Sequence, residues 1–332
     1  MKVWLLDLDG KIPNLALMRL AAHHLGRGDL LEMRRVRLRA DFELQLWDEP
    51  PDAVYASLLY DRSRPLAQAV LERWPRARVG GTGWDLATDL EDLGIGPELD
   101  YGIYPDWQPS LGFTQRGCRR QCPWCVTPVK DGRNRAVATI PEIYRGAQHP
   151  KRLFLLDQDF FGQPAWGERV REMSGFAVCF NGGIDCRSLT ETQAAALASV
   201  RVTDNEFKTR RVYTAWDRLG DAELVLRGLR RLVKHFTPRT IMVYMLVGFD
   251  PDEDHQAREL RRTPLRDLGV LLYIMPYRRT PELLGYQRWV NFSYDKRKMT
   301  WSQWEAEGYQ AHEQHRREAR VGQTRFDDSE GP

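Results

Sequence analysis

Three of the chain's five cysteines fall within eight positions, in the stretch FTQRGCRRQCPWCVTP (residues 113–128). Cys118, Cys122 and Cys125 give the spacing C-x3-C-x2-C, and one short loop could turn all three sulfurs toward a single point. Thiolates select iron–sulfur clusters or zinc over hard cations. A closed structural zinc site and a cubane cluster held by protein alone both need four ligands. The three cysteines therefore predict a metal site with one position open to an external ligand, unless a remote side chain such as His149 completes a zinc knuckle.

Alternating strand and helix patterns predict the elements that would position this loop. In the first region KVWLLDL, DAVYASLLY and ARVGG read as strands, and NLALMRLAAHHLGRG and PLAQAVLERW read as helices. Such alternation is typical of a parallel sheet covered on both faces. Residues 1–100 are therefore predicted to form a small doubly wound, Rossmann-like domain, followed by the connector LDYGIYPDWQP.

A second alternation covers residues 109–290. Six strands are predicted, at SLGFTQ, RLFLLD, FAVCFNG, RRVYTAW, RTIMVYMLVG and VLLYIMPY, with helices at LTETQAAALASV and DAELVLRGLRRLVKHF. Six repeats are too few for a closed eight-fold barrel, so we expect a partial (β/α)6 TIM-type barrel. The cysteines directly follow its first strand, at the strand end where barrels carry their chemistry. Residues 291–332 are predicted to form an amphipathic helical extension with a polar tail.

The cysteine motif, with the aromatic Trp124 before its last cysteine, resembles the signature of the radical S-adenosylmethionine (SAM) enzymes over roughly residues 109–280. The resemblance implies a [4Fe-4S] cluster held by the three cysteines, with SAM chelating the open iron. It implies that one electron cleaves SAM to a 5'-deoxyadenosyl radical, which abstracts hydrogen from a substrate. An electron donor such as flavodoxin or ferredoxin would supply that electron. The substrate, and whether SAM is consumed or regenerated, stay open.

The same resemblance implies SAM contacts at the ends of the later strands. The second strand ends in Asp157 and Asp159, where the family often carries a Gly-Gly-Glu stretch that this chain lacks. The third strand ends in a group of polar residues, whose alternative role, instead of SAM binding, is turn formation and helix capping. The polar residues at the end of the third strand are Asn181, Asp185 and Arg187. At the end of the fourth strand, Trp216 and Asp217 would lie near the ribose of SAM. On the fifth and sixth strands Tyr244, Gly248, Met275 and Pro276 would lie near the adenine, and Tyr277 or Arg278 would face the substrate.

The N-terminal region resembles the cobalamin-binding domains that precede some radical SAM barrels. Ser57, Gly80, Gly81 and Thr82 occupy the places that surround the cobalamin nucleotide tail in that arrangement. Glycines at these turns also arise in doubly wound sheets for backbone reasons alone. The family's D-x-H-x-x-G signature is missing, so histidine ligation of cobalt is not expected. Two alternatives stand: a cobalamin-assisted methylation, or a degenerate domain that shapes the substrate pocket of another modification.

The other two cysteines, Cys179 and Cys186, are interpreted as inert small hydrophobes, with a second cluster as the alternative. The arginine-rich runs LRGLRRLVKH, RELRRTPLRD and HRREAR have helical spacing and are predicted to be solvated helix faces rather than a nucleic-acid surface. A rival hypothesis remains, in which the chain is a non-enzymatic zinc or iron–sulfur module that binds nucleic acid through these helices.

Composition limits the class of protein. Of the 332 residues, 42% are hydrophobic and 29% charged, with a net charge of +3, which are values of a globular protein. No run of about eighteen apolar residues predicts a membrane span, and the N-terminus lacks the apolar run of a signal peptide. An odd cysteine count with a tight cluster does not suggest a secreted disulfide framework. We therefore expect a cytoplasmic protein with reduced thiols and no membrane partner.

Overall fold

The chain is a mixed α/β protein with parallel sheets. Its computed structural model describes residues 1–45, 48–293 and 299–308. The chain divides into two compact units, Met1–Gly112 with Arg116–Arg135 and Glu142–Arg152, and Phe113–Gln115 with Ala136–Pro141 and Leu153–Pro332. Unit 1 includes residues 1–100 and also the cysteine loop. Most of the predicted C-terminal extension, at 294–298 and 309–332, lies outside the described residues.

The strands are, in chain order, β1 (Lys2–Asp7), β2 (Leu30–Arg35), β3 (Ala53–Ser57), β4 (Arg78–Gly80), β5 (Ser110–Gly112), β6 (Gln115–Arg116), β7 (Arg135–Ala136), β8 (Arg152–Leu155), β9 (Ala177–Phe180), β10 (Arg201–Val202), β11 (Val212–Ala215), β12 (Ile241–Val247) and β13 (Leu271–Pro276). The α-helices are α1 (Leu15–Leu25), α2 (Arg64–Arg73), α3 (Thr127–Lys130), α4 (Ile140–Ile143), α5 (Trp166–Glu172), α6 (Glu191–Ser199), α7 (Ala222–Leu232), α8 (His255–Asp267), α9 (Pro281–Asn291) and α10 (Trp301–Gln303).

Unit 1 contains a parallel four-stranded sheet in the order β2-β1-β3-β4. Alternate residues of β1 face opposite sides, and both sides are buried: Trp4 and Leu6 pack in one apolar cluster, Val3 and Leu5 in another. Burial on both faces explains why this strand reads as a continuous apolar run. The predicted strands and helices of this region are confirmed. The sequence prediction missed β2, because this edge strand, LLEMRR, is half-exposed and carries charges instead of an apolar run.

In unit 2 successive strands lie side by side. Beyond the end of a strand, a backbone N–H donates to a neighbouring strand: Asn181 to the carbonyl of Leu155 in β8 at 2.9 Å, Ile184 to Tyr213 in β11 at 2.8 Å, and Trp216 to Tyr244 in β12 at 2.8 Å. β11, β12 and β13 form one parallel sheet, while β9 pairs in parallel with the short β10. All six predicted strand positions contain strands, and the two predicted helices are α6 and α7. The segments that follow β8, β9, β11, β12 and β13 therefore meet at one edge of unit 2.

Helices cover one face of the β11–β13 sheet. Residues of β12 alternate between buried and half-buried, and the buried ones, such as Met245 and Val247, pack against Leu283, Tyr286 and Trp289 of α9. Trp304 completes this cluster. The sequence prediction did not include α9, whose Thr280 cap and Pro281 at the first turn are ordinary start signals.

The prediction of solvated arginine faces is wrong for α8. Arg258, Arg261 and Arg262 are buried, and they pair with glutamates and backbone carbonyls. On α7, Arg227 and Arg230 are exposed as predicted. The run HRREAR lies outside the described residues. Among the residues that the structure describes, none of the helices is long and apolar enough to cross a membrane.

Candidate cofactor site

The cysteine loop begins and ends at a small ladder, because β6 and β7 pair with each other. Gly117 enters the loop with a φ of +79°, in the left-handed region that favours glycine. A Cβ at this position would overlap the carbonyl of Arg133, so the close approach also requires glycine. The N–H of Cys118 donates to the Gly132 carbonyl at 3.2 Å, which closes the base of the loop.

Within the loop the three thiols are half-buried and free of disulfides. The N–H of Arg120 donates to the sulfur of Cys118 at 3.3 Å, and the N–H of Cys125 donates to the carbonyl of Cys122 at 3.0 Å. Arg119 and Arg120 lie between Cys118 and Cys122 and add positive charge to the loop. Among the described residues, no three Cys, His, Asp or Glu side chains are gathered as a metal-binding group. The donors fit a three-thiolate cluster in kind and number, because each thiolate would bind a different iron of the cluster.

Unit 1 places the segment after this loop against the predicted cobalamin-binding turn. Lys130, at the end of α3, donates to the hydroxyl of Thr82 at 2.5 Å. Burial lowers the pKa of the Lys130 ammonium, since a charged group is disfavoured away from water. Thr82 follows Gly81, whose φ is +97°. Because Lys130 lies five residues after Cys125, this hydrogen bond ties the segment that follows the cysteine loop to the Gly-Gly turn.

The carboxyl edge of the unit 1 sheet carries a buried polar network that the sequence prediction missed apart from Ser57. The Asn14 amide donates to the Ser57 hydroxyl at 2.9 Å, and its carbonyl oxygen caps α1. Tyr104 donates to the Asp7 carboxylate at 3.0 Å, and burial raises the pKa of this phenol well above its usual value. A Cβ on Gly81 would lie 2.9 Å from the Ser57 hydroxyl. Ser57, Gly80, Gly81 and Thr82 thus lie together at this edge, as a doubly wound ligand site requires.

In unit 2, the end of β8 is held by a second buried network. Both oxygens of the Asp157 carboxylate accept from Thr114, one from its N–H at 2.7 Å and the other from its hydroxyl. The amide of Gln163 donates to that same hydroxyl at 3.0 Å. Asp159, also buried, donates through its N–H to the Gln115 side chain at 2.9 Å. Burial raises the pKa of Asp157 to about 7, although the Thr114 hydrogen bonds oppose the shift.

The polar group after β9 is organised around one carboxylate. Asp185 accepts from the N–H of Arg187 at 3.2 Å and from its guanidinium at 2.8 Å, and it caps the turn Cys186–Ser188. Arg187 also reaches Asp221 at 3.3 Å. Asn181 is exposed at the end of β9. The capping alternative therefore describes what Asp185 does in this structure, while the Asn181 side chain faces solvent.

The ends of β11 and β12 are joined by one buried arginine. Arg261, 1% exposed, donates to the carbonyls of Trp216 at 3.2 Å, Asp217 at 2.9 Å and Leu246 at 2.8 Å, and it pairs with Glu253. Glu253 in turn accepts from the N–H of Gly248 at 2.5 Å. Burial lowers the pKa of the Arg261 guanidinium to about 10, so it stays charged near neutral pH. The predicted positions Asp217 and Gly248 are therefore held together by α8.

The remaining predicted positions are divided between the edge and the middle of the sheet. Met275 and Pro276 end β13, with the Met275 side chain exposed. Tyr244 lies in the interior of β12, where its ring stacks on Tyr213 at 5.8 Å and meets Tyr273 edge-on at 5.6 Å. Tyr244 therefore belongs to a row of three tyrosines across the sheet rather than to the edge.

Cys179 and Cys186 are buried apart from the loop. Burial raises the pKa of each thiol to about 12. Both are therefore protonated near neutral pH, in line with the interpretation as inert small hydrophobes.

Several residues of these networks were absent from the sequence predictions: Asp7, Asn14, Tyr104, Thr114, Gln163, Lys130, Glu253 and Arg261. Asn14 had a readable signal, since it directly precedes an apolar helical pattern. Most of the others are brought together across long chain separations, which single-sequence patterns do not report, whereas Glu253 lies only eight residues before Arg261.

The fold and these sites define a mixed α/β protein with parallel sheets and a three-cysteine loop. No protein-family model matches the chain, and no curated protein shows significant similarity to it.

Proposed function

We propose that this protein is a radical SAM enzyme. The observation that carries the proposal is the C-x3-C-x2-C loop, in which three half-buried cysteines without disulfides lie in one glycine-entered turn that also contains arginines. The proposal interprets residues 109–290 as a partial (β/α)6 barrel and residues 1–100 as a Rossmann-like, cobalamin-domain-like region. It also locates the enzyme in the cytoplasm, with an electron donor such as flavodoxin or ferredoxin.

Cys118, Cys122 and Cys125 would hold the cluster. A bound [4Fe-4S] cluster supplies the electron that reductively cleaves SAM. The protein's own contribution is to bind and orient: the Arg120 N–H supports one sulfur, and within unit 2 Arg261 and Glu253 hold the backbone carbonyl of Asp217 and the backbone N–H of Gly248. Because the Arg261–Glu253 pair fixes those groups in advance, little ordering remains when a ligand binds there.

The reaction type depends on the N-terminal sheet edge. Ser57, Gly81 and Thr82 lie together there, beside Lys130. If cobalamin binds at this edge, the proposed reaction is a cobalamin-assisted methylation. If it does not, the radical is used to rearrange, oxidise or otherwise modify the substrate.

The proposal is tested anaerobically. The protein is reconstituted with iron and sulfide, reduced with dithionite and mixed with SAM, and 5'-deoxyadenosine is measured by mass spectrometry. We expect this product from the unaltered chain and its loss in Cys118→Ala, Cys122→Ala and Cys125→Ala, each with reduced iron content. Cys179→Ala is the matched control and should retain iron and product.

A full cluster retained after the loss of any one loop cysteine would overturn the proposal. A colourless protein with one zinc per chain would favour the rival zinc module. Repeating the assay with added cobalamin, with and without Ser57→Leu, then separates methylation from the other reactions.

A further inference from the structure

A cavity of about 560 Å³ opens in unit 2 at the amino-terminal ends of β12 and β13, the opposite strand ends from those considered above. It lies between the start of these strands and the last turns of α8 and α9. Cavities of this size are typical of sites for small molecules.

The polar lining of the cavity is cationic. Arg239, Arg262 and Arg266 line it, and none of its described lining residues is acidic. Arg262 is neutralised by Glu259 and stacks on Trp289, with its guanidinium carbon 4.7 Å from the ring centre. Arg262 therefore forms a fixed wall, and any net attraction for an anion must come from the other two arginines.

Arg239 and Arg266 provide that attraction. In the part of the chain that the structure describes, no carboxylate lies within ion-pair distance of Arg239. Arg266 is 52% exposed and has only the exposed Asp267 at 3.4 Å, a contact that water screens strongly. Arg211 donates to the Arg239 carbonyl at 2.9 Å and adds another guanidinium nearby.

The turn between α8 and β13 brings these two arginines to the same rim. Gly269 in that turn has a φ of +73°, and a Cβ there would lie 3.6 Å from the ring of Pro238, the residue before Arg239. Arg266 stands three residues earlier, in the last turn of α8, where a helix favours a cation. Two guanidiniums from separate elements thus face one opening, the arrangement that recognises phosphate oxygens.

The other walls are apolar and aromatic. Met242, Leu271 and Leu272 line the cavity together with Tyr273, whose side chain is 41% exposed. Tyr273 is also the outermost ring of the row Tyr213, Tyr244 and Tyr273. A partly exposed aromatic side chain, beside Arg239 and an Arg266 that pairs only with the exposed Asp267, suits a planar base that carries a phosphate.

We infer that this cavity binds a nucleotide, with the phosphate at Arg239 and Arg266 and the base against Tyr273. The same chemistry is present in a free nucleotide and in a single-stranded nucleic acid. The site uses none of the cysteines, so it does not depend on the proposed radical chemistry.

The test is a binding titration of the full chain with AMP, adenosine and a short single-stranded oligoadenylate. We expect AMP to bind at least about 10-fold more tightly than adenosine, because charge-assisted hydrogen bonds to phosphate are lost with the nucleoside. The variant Arg239→Met/Arg266→Met should weaken AMP and oligonucleotide binding about 10- to 100-fold, and Tyr273→Ala should weaken both. Arg227→Met, at an exposed arginine of α7, is the matched control and should bind as the unaltered chain does.

The two sources are separated by affinity and salt. Oligonucleotide binding that is tighter than AMP binding and falls steeply with salt identifies a nucleic-acid strand, and equal affinities identify a free nucleotide. Both results support the site. The inference would be overturned if AMP did not bind, or if it bound equally well to the double arginine variant. The second result would mean that AMP occupies an adenosine site elsewhere on the chain. Because Cys122→Ala should leave this binding unchanged, a failure here is distinct from a failure of the proposed radical function.

Discussion

The carboxyl group of Asp157 shows how one residue's environment determines its chemistry. It is 2% exposed, and both of its oxygens accept hydrogen bonds from Thr114. Burial disfavours the carboxylate and raises its pKa from 3.8 to about 7. A carboxyl group of this kind exchanges a proton near neutral pH, whereas an exposed aspartate does not.

This shift predicts a pH dependence of folding. As pH rises from about 4 to 7, the unfolded chain loses the Asp157 proton first, so the folded state is progressively destabilised. At about 1.4 kcal/mol for each pKa unit, the loss is on the order of 4 kcal/mol. Asp157→Asn should remove this part of the dependence, measured as the free energy of unfolding in urea between pH 4.5 and 7.5.

The matched control is Glu223→Gln, at a side chain that is 91% exposed. This variant should follow the unaltered chain at each pH. An Asp157→Asn curve parallel to that of the unaltered chain would show that the carboxyl group titrates normally.

Gly117 and Gly132 provide a matched pair at the cysteine loop. Both have positive φ angles, +79° and +69°, but a Cβ on Gly117 would overlap the Arg133 carbonyl, whereas a Cβ on Gly132 would meet open space. Alanine at either position carries backbone strain of roughly 1–3 kcal/mol, and only Gly117→Ala must also displace the loop. We expect Gly117→Ala to lower the iron bound after reconstitution several-fold, and Gly132→Ala to retain most of it. Equal iron contents in the two variants would contradict this role of Gly117.

At the scale of elements, α8 fixes the ends of two strands. Its Arg261 donates to three carbonyls at the ends of β11 and β12, and its partner Glu253 holds the N–H of Gly248. A helix normally supports a sheet through the packing of its apolar side chains. Here a buried ion pair also determines the positions of backbone groups at the candidate site.

Removing one member of this ion pair should lower the free energy of unfolding. Arg261→Met leaves Glu253 with only the longer contact to Arg258 at 3.7 Å and leaves three carbonyls without their donor, and we expect a loss of about 3–5 kcal/mol in the free energy of unfolding. Hydrogen exchange should accelerate at residues 216–217 and 246–248. In the double variant Arg261→Met/Glu253→Gln, part of the loss should be recovered, because no unpaired charge stays buried.

Additive losses in the double variant would indicate that the two side chains act independently. Arg230→Met, at an exposed arginine on α7, is the control for loss of an arginine from a helix and should cost less than about 0.5 kcal/mol.

At the scale of the whole molecule, the proposed cluster must couple to folding in unit 1. The cysteine loop belongs to that unit, and its sulfurs are not gathered as a metal-binding group among the described residues. Binding would therefore order the loop and stabilise the folded chain by mass action. We expect reconstitution with iron and sulfide to raise the melting temperature by several degrees and to slow hydrogen exchange in residues 117–126.

The triple variant Cys118→Ala/Cys122→Ala/Cys125→Ala controls for non-specific effects of iron and sulfide and should show neither change. An unaltered exchange pattern in the reconstituted parent protein, at four irons per chain, would place the iron elsewhere.

The sequence by itself determined the α/β class, the positions of most strands and the cysteine loop. Strands such as β1 are buried on both faces, so their sequences are continuous apolar runs. The loop is recognised by its three cysteines within eight positions. These are local patterns, and local patterns can be read from one chain.

The tertiary structure decided what the polar residues do. The arginines of α8 have the spacing of a solvated face, yet Arg261 is buried because the carbonyls of Trp216 and Asp217, more than forty residues away, and the nearby Glu253 satisfy it. Asp157 becomes a group with a pKa of about 7 because the folded chain buries it, even though Thr114, 43 residues away, donates hydrogen bonds that oppose the shift. The edge strand β2 and the cavity at Arg239 likewise depend on neighbours far along the chain. Burial and electrostatics arise from such long-range contacts, which local spacing does not encode.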